Sequence, residues 1–297
     1  MDIRQSPQHA QFLRLQGWKV EHVHVEDGSV IQVYIRPILH IFNFYFFSAM
    51  KIQRFRSIPD LKELRGLMKK WGVRYLCVEP AEDVEKNALL KFVKRLGLRQ
   101  SKFGYICTKT LRIDLTQTES SLLEDLRENP KRILSKPMRS GYETVMINGA
   151  EFLARKKEFD AFEAKGIQDG KFWWFNQKQF QALVGGYGDK LDLAITRNTA
   201  TGEMHSGILL LSSDDAIYYF RAFGDEVSRK HRLHTWTVWK SFLYAKKLGR
   251  KTYDFDGILD DRFPIKSWRG FTEFKLRFGG ATVEYPGCWE KVGLFLF

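Results

Sequence analysis

The stretch WKSFLYAKKLGRKTYDFDG, residues 239–257, decides how this chain folds. Leu233, Trp236, Trp239, Phe242, Leu243 and Leu248 recur mostly on one side of a helix, and Gly249 ends it. The apolar and polar residues of KTYDFDG then read as a strand. The same grammar occurs earlier. DVEKNALLKFVKRLG is an amphipathic helix closed by Gly97, and residues 103–115, ending in LRIDL, read as strand. The helix ends VKRLG and AKKLG match. A shared order of strand, helix, glycine and strand predicts two similar α/β units, each a mixed sheet with helices against its faces.

Working outward, VEHVHVEDGSVIQVYIRPI (residues 20–38) alternates apolar and polar residues around Asp27-Gly28, a β-hairpin signal. SIPDLKELRGLMKKW places Leu61, Leu64, Leu67, Met68 and Trp71 at helical spacing, and RYLCVEP follows as a buried strand. In the second half, GILLLSS and AIYYFRAF read as adjacent strands around Ser213-Asp214-Asp215. Between the halves lies SSLLEDLRENPKRILSKPMRSG, a basic helical segment interrupted by Pro130 and Pro137. The most apolar run, ILHIFNFYFFSAM (residues 38–50), is too short to span a bilayer. It is expected to be a core strand and its turn, with contact to a membrane or a lipid-bearing substrate as the alternative.

With 297 residues, 44% hydrophobic and 28% charged, the chain has the composition of a folded protein of one large or two medium domains. A net charge of +13 favours a polyanionic partner, nucleic acid or an anionic membrane surface. Residues 1–143 carry roughly +9 of it. Cys77, Cys107 and Cys288 have no CxxC or Cys/His metal spacing, and an odd number without a framework suits a reducing cytosol. The start, MDIRQSPQHA, lacks the apolar region of a signal peptide. The expectation is a cytoplasmic protein, with peripheral contact at the inner face of the membrane left open.

No GxSxG, HExxH or Walker pattern occurs, and His22, His24, His40, His205, His231 and His234 show no metal spacing; His22 and His24 fall on one strand face. Asp254 and Asp256 leave the end of a strand, where α/β sheets often carry function. Turn caps are the alternative for both. Asp114 occupies a similar strand end, with a cap onto the next helix favoured. Alternation places Tyr219 and Arg221 on one strand face and Tyr218 on the other. The following turn, FGDEVSRKHRLH, has no Gly-x-Gly of the kind that binds a coenzyme A pyrophosphate through backbone N–H groups. Arg229, Lys230 and Arg232 stand there instead, suited to an RNA phosphate or a lipid diphosphate.

Three segments give the chain a recognisable likeness. LRIDLTQTESSLLEDLRENPKRILSKPMRSGYETV (residues 111–145) resembles the linker region of the Fem-type (FemABX) peptidoglycan bridge enzymes. FTEFKLRFGG (residues 271–280) resembles their Phe-Lys-x-x-Phe-Gly element, here Phe274 to Gly279. The opening QFLRLQGWKVEHVHVEDG is similar to the family's start, so the resemblance spans nearly the whole chain. It implies two tandem GNAT-like acyltransferase domains with a cleft between them. The first is expected over residues 1–142, joined by the tail 283–297, and the second over 143–282.

The resemblance also implies an activity. Fem-type enzymes transfer an aminoacyl group from aminoacyl-tRNA to an amine of a peptidoglycan precursor, with no metal and no dissociable coenzyme. Aminoacyl-tRNA is the co-substrate, and the precursor is of lipid II or UDP-MurNAc-pentapeptide type. By resemblance, Lys275 is the cation that stabilises the oxyanion of the tetrahedral intermediate. Phe274 and Phe278 exclude water around it, and Phe274 stacks on the terminal adenine. Asp254 or Asp256 is expected to orient Lys275 or accept the ammonium proton. Tyr218, Tyr219 and Arg221 are expected at the acceptor, and Arg229, Lys230, Arg232, Lys131 and Arg132 at tRNA phosphates.

The chain departs from the family in three places. Phe172, Trp173, Trp174 and Phe175 replace a polar pattern that meets the precursor, so Trp173 and Trp174 become candidates for binding a different amine. Pro137 replaces a small residue, and no extended helical arm is present. An acyl-CoA-dependent N-acyltransferase and a non-catalytic RNA- or membrane-binding relative are the alternative readings.

Overall fold

The computed structural model describes residues 2–41, 44–168 and 177–293. Trp173, Trp174 and their aromatic neighbours lie outside the described residues. The chain divides into two compact units.

The first unit opens with α1 (Pro7–Leu15), capped by Ser6, whose hydroxyl accepts from the N–H of His9. The hairpin β1 (Lys19–His24) and β2 (Val30–Ile41) turns at Asp27-Gly28, as its alternation predicts. β3 (Phe44–Gln53) pairs with β2, and α2 (Leu61–Lys70), capped by Asp60, leads into β4 (Val73–Glu79). α3 (Lys86–Leu96) ends at Gly97 with φ of 66°, where a side chain would be strained. The two-residue β5 (Arg99–Gln100) follows.

Two expectations change here. Residues 38–41 and 44–50 do form strand, but Phe44 is 72% and Phe46 51% exposed, with Ile38 and Leu39 also outward. The pairing of β3 with β4 starts only at Ser48, so residues 44–47 of β3 pair with β2 alone. Residues 103–108 are turns rather than strand, because Oε1 of buried Glu79 accepts the N–H groups of Tyr105 (2.7 Å) and Ile106 (2.9 Å) and folds the segment back.

The second unit begins at Thr110, earlier than the boundary after residue 142 expected from sequence. The reason is pairing: β6 (Lys109–Asp114) lies antiparallel to the late strand that carries Asp254. Along the chain come α4 (Glu119–Glu124), α5 (Glu128–Leu134), β7 (Tyr142–Asn148), α6 (Gly149–Ala154), α7 (Lys156–Gln168) and α8 (Gln177–Tyr187). Then follow β8 (Leu191–Asn198), β9 (Met204–Ser212), β10 (Ala216–Gly224), α9 (Glu226–His231), α10 (Leu233–Lys247) and β11 (Thr252–Asp254). α11 (Arg269–Lys275) and β12 (Ala281–Glu284) complete the set. The sheet order is β12-β6-β11-β10-β9-β8-β7, with β10 and β11 parallel.

From Val283 onward the chain groups with the first unit. There β13 (Trp289–Val292) inserts between β4 and β5, giving the order β1-β2-β3-β4-β13-β5. The core of the second unit packs Phe242 of α10 against Tyr253, Phe255 and Phe278, with ring centroids 4.5 to 6.0 Å apart. Truncating such a buried ring costs about 3–5 kcal/mol.

Candidate functional site

β10 and β11 pair at only three positions, ending at Tyr218 and Asp254. Just beyond, the register of β10 against β9 slips between Tyr219 and Arg221, leaving Phe220 as an extra residue. The bulge adds Phe220 to the side that alternation gives Tyr219 and Arg221. Tyr219, Phe220 and Arg221 all reach a cavity of about 410 Å³ inside the second unit, while Tyr218 is buried and does not line it.

Lys275 sits on the wall of this cavity and is 6% exposed. FTEFKLRFGG is helical up to Lys275, and the last turn of α11 aims the side chain at the continuation of β11. Nζ donates to the carbonyl oxygens of Phe255 and Gly257, at 2.7 Å each. The rings around it are Tyr219 and Phe271, whose centroids lie 5.0 and 4.8 Å from Nζ. The aromatic wall thus differs from the expected one. Phe274 packs against His234 with centroids 5.1 Å apart and the rings tilted by 36°, and Phe278 is buried in the core. Gly279 and Gly280 follow with φ of 77° and 83°, where a Cβ would run into the backbone of Asp125 and Arg112.

The carboxylate of Asp254 serves the fold. It is 2% exposed and does not line the cavity. Oδ1 accepts from Thr110 Oγ1 (2.5 Å) and the N–H of Asp256 (2.8 Å), and Oδ2 from Arg112 Nε (3.0 Å). Burial raises its pKa against the opposing pull of Arg112. Asp256, with φ of 49°, is the carboxylate that lines the cavity, and its charge faces Arg221. Asp114 caps the next turn, accepting from the N–H and hydroxyl of Thr116.

FGDEVSRKHRLH holds a short helix, α9, capped by Asp225, whose Oδ1 accepts from the N–H of Ser228. Arg229 and Arg232 line the cavity, whereas Lys230 does not. Lys131 and Arg132 are exposed on α5 away from it, and the neighbouring Asn129, Pro130 and Ile133 supply that wall. Sequence reasoning missed Arg277, Phe271 and the role of His234 in this wall. Arg277 was legible as part of the Phe-Lys-x-x-Phe-Gly element; His234 stands in a basic run without motif spacing. The lining carries the cations Arg221, Arg229, Arg232, Lys275 and Arg277 against the carboxylate of Asp256.

Two clusters outside the cavity bring ligand-type groups together. Glu79 beside Cys77 and Cys288 has its oxygens committed to Tyr105, Ile106 and Gln53. In the other, Glu203, His205 and Asp225 each bring one ligand-type atom within 4.8 Å of the others, and Nδ1 of His205 lies 2.9 Å from Asp225.

No protein-family model matches the chain, and no curated protein matches it by sequence. Solved structures match its fold. FemX is similar with a TM-score of 0.79 at 16% identity, covering 99% of this chain and 92% of that one. The C-terminal domain of a protein described as a lysylphosphatidylglycerol synthetase from Agrobacterium fabrum gives 0.61 at 12% identity, covering 98% and 88%. A tandem GNAT protein from the clavulanic acid biosynthesis pathway gives 0.52 at 10%, covering 89% and 80%. The architecture is therefore the mixed α/β tandem GNAT-like fold of Fem-type proteins, as the sequence resemblance implies. Among the described residues, no helix is long and apolar enough to cross a membrane.

Proposed function

We propose that the chain is an aminoacyltransferase that takes its acyl group from aminoacyl-tRNA and forms an amide on an amine of a peptidoglycan precursor. The observation that carries this reading is Lys275, a cation buried at the wall of an arginine-rich cavity and oriented by two backbone carbonyls. Attack of an amine on an ester carbonyl builds negative charge on the carbonyl oxygen. A fixed N–H donor lowers the barrier to that step by about 3–4 kcal/mol.

The charge of one cavity wall supports this donor. The N-terminus of α10 opens on the cavity through Arg232, His234 and Thr235, and side-chain guanidinium groups stand beside it. Guanidinium forks suit the phosphates of a nucleic-acid end. The ring of Phe274, partly exposed at the same wall, offers a stacking face for the terminal base. The net charge of +13 serves the rest of the polyanion. The likeness to FemX supports a cell-wall precursor as acceptor.

An acyl-CoA donor is the second reading, supported by the likeness to the tandem GNAT protein. The test incubates the protein with charged tRNA mixtures or labelled acetyl-CoA, with precursor amines, and follows the label. Transfer from charged tRNA alone is the expected result; transfer from acetyl-CoA alone would replace this reading with the second.

A further inference from the structure

A chain of hydroxyls runs from the cavity into the sheet. Nε2 of His234 lies 2.8 Å from the Tyr219 oxygen, and Nδ1 lies 2.7 Å from Ser206 Oγ. Ser206 Oγ is 2.8 Å from Thr237 Oγ1, which is 3.1 Å from the carbonyl oxygen of Leu233, one turn back on α10. Thr196 Oγ1 approaches Thr237 Oγ1 at 2.7 Å and Thr144 Oγ1 at 2.7 Å.

The carbonyl at the end of the chain sets its direction. A carbonyl only accepts, so Thr237 donates to Leu233 and its oxygen accepts from Ser206. Ser206, having spent its proton, accepts from His234 Nδ1–H. That assigns the neutral imidazole a lone pair on Nε2, facing the O–H of Tyr219. Burial raises the Tyr219 pKa well above the usual phenol value, so this phenol carries its proton until a base draws on it.

From this geometry we infer that Tyr219 and His234 form the proton relay of the site: the phenol oxygen takes the proton of the attacking amine as its own proton passes to Nε2. The inference rests on the acyl-transfer reading above and names the proton acceptor it requires, in the place first given to Asp254. The incoming ammonium gives its first proton to solvent. The amine nitrogen then bonds to the ester carbonyl carbon, and its second proton moves to Tyr219 while the Tyr219 proton moves to His234. The ester C–O bond breaks, and the ribose oxygen leaves with the proton returned along the same path. Amine plus ester give amide plus ribose hydroxyl, with no proton left over. Within the relay Tyr219 is the group that meets the amine, and His234 is a positioning residue that acts through it. The charged groups around the ring are Lys275 on α11, Arg221 on β10, Asp256 after β11 and Arg232 before α10; the His205–Asp225 pair lies beside Ser206.

Single-turnover transfer from charged tRNA to a precursor amine, measured between about pH 5.5 and 8.5, tests the relay in the full-length protein. Tyr219→Phe, which removes one atom, and His234→Gln are each expected to slow transfer by roughly 100-fold or more. The acid limb of the wild-type profile should become shallower in His234→Gln, with only the slope set by deprotonation of the ammonium left. Imidazole nitrogen NMR of the unliganded protein should show the Nδ1–H tautomer at His234, lost in Ser206→Ala. An acid limb unchanged in His234→Gln, or an Nε2–H tautomer in the wild type, overturns the relay. Should acetyl-CoA and not charged tRNA support transfer, the donor assignment fails alone. The same profile, taken with acetyl-CoA, then decides the relay.

Discussion

Nζ of Lys275 is held 2.7 Å from the carbonyl oxygen of Gly257, a residue that leaves the sheet where β10 and β11 part. The side chain bonds the continuation of β11 and lies 5.0 Å from the Tyr219 ring of β10, which puts a cation on the cavity wall. Structure and chemistry share one group here. Lys275→Met, which keeps the length and removes the N–H donors, is expected to slow transfer about 100- to 1000-fold. It also strands two carbonyls at about 1–3 kcal/mol each, so the melting temperature should fall. Rates per folded molecule, with folding followed by circular dichroism, separate the two effects; an undiminished rate removes Lys275 from the mechanism.

Asp254 behaves differently. Its carboxylate is buried and bound to Arg112 and Thr110. Asp254→Ala leaves Arg112 without that partner and is expected to destabilise the second unit by about 3 kcal/mol. Transfer by the fraction that remains folded should stay within a few-fold of wild type. Urea unfolding beside a single-turnover assay checks both. A large fall in rate with unchanged stability would return Asp254 to the catalytic role read from the sequence.

Arg229 and Arg232 should act on affinity rather than on chemistry. Each Arg→Ala change is expected to weaken tRNA binding and to reduce the slope of log K against log salt concentration by about 1. Fluorescence anisotropy with labelled tRNA reads that slope. Slopes unchanged in both variants would take these side chains off the phosphate path.

The first unit carries its own pH dependence. His9 of α1 is half-buried against Tyr34, with ring centroids 5.6 Å apart. Burial first, then the charges of Lys51 and Arg4, hold its pKa well below the usual 6.5. The unfolded chain therefore binds a proton near pH 6.5 that the folded chain refuses. The stability contributed by neutral His9 is fully present above that pH and is lost as pH falls below it. The urea midpoint should drop between about pH 7.5 and 5.5, and the drop should be shallower in His9→Phe. Equal slopes for wild type and variant would contradict the assignment.

How much of this was legible in the sequence differs from element to element. The hairpin at Asp27-Gly28, α3 with its Gly97 end and the step from α10 through Gly249 into β11 are local signals, set by backbone preference and periodicity. The inserted strand β13 is a long-range pairing with β4 that no local pattern announces. At the site, the Phe-Lys pair was readable as a motif, yet the rings around Lys275 come from Tyr219 on β10 and Phe271 one turn earlier in α11. The bulge at Phe220 was hidden because AIYYFRAF reads equally well as an unbroken strand. His234 was passed over because a histidine in a basic run has no spacing to mark it, and only the fold sets its two nitrogens against Tyr219 and Ser206.

In the proposed mechanism a lysine at the wall of this cavity stabilises an aminoacyl ester under attack by an amine. Its most direct test is single-turnover transfer from charged tRNA to a peptidoglycan-precursor amine, wild type against Lys275→Met, both at saturating tRNA. Rapid amide formation by the wild type and a fall of about 100-fold or more in the variant is the expected result. Equal rates in the two proteins, or no amide from any charged tRNA while acetyl-CoA supports transfer, would contradict it.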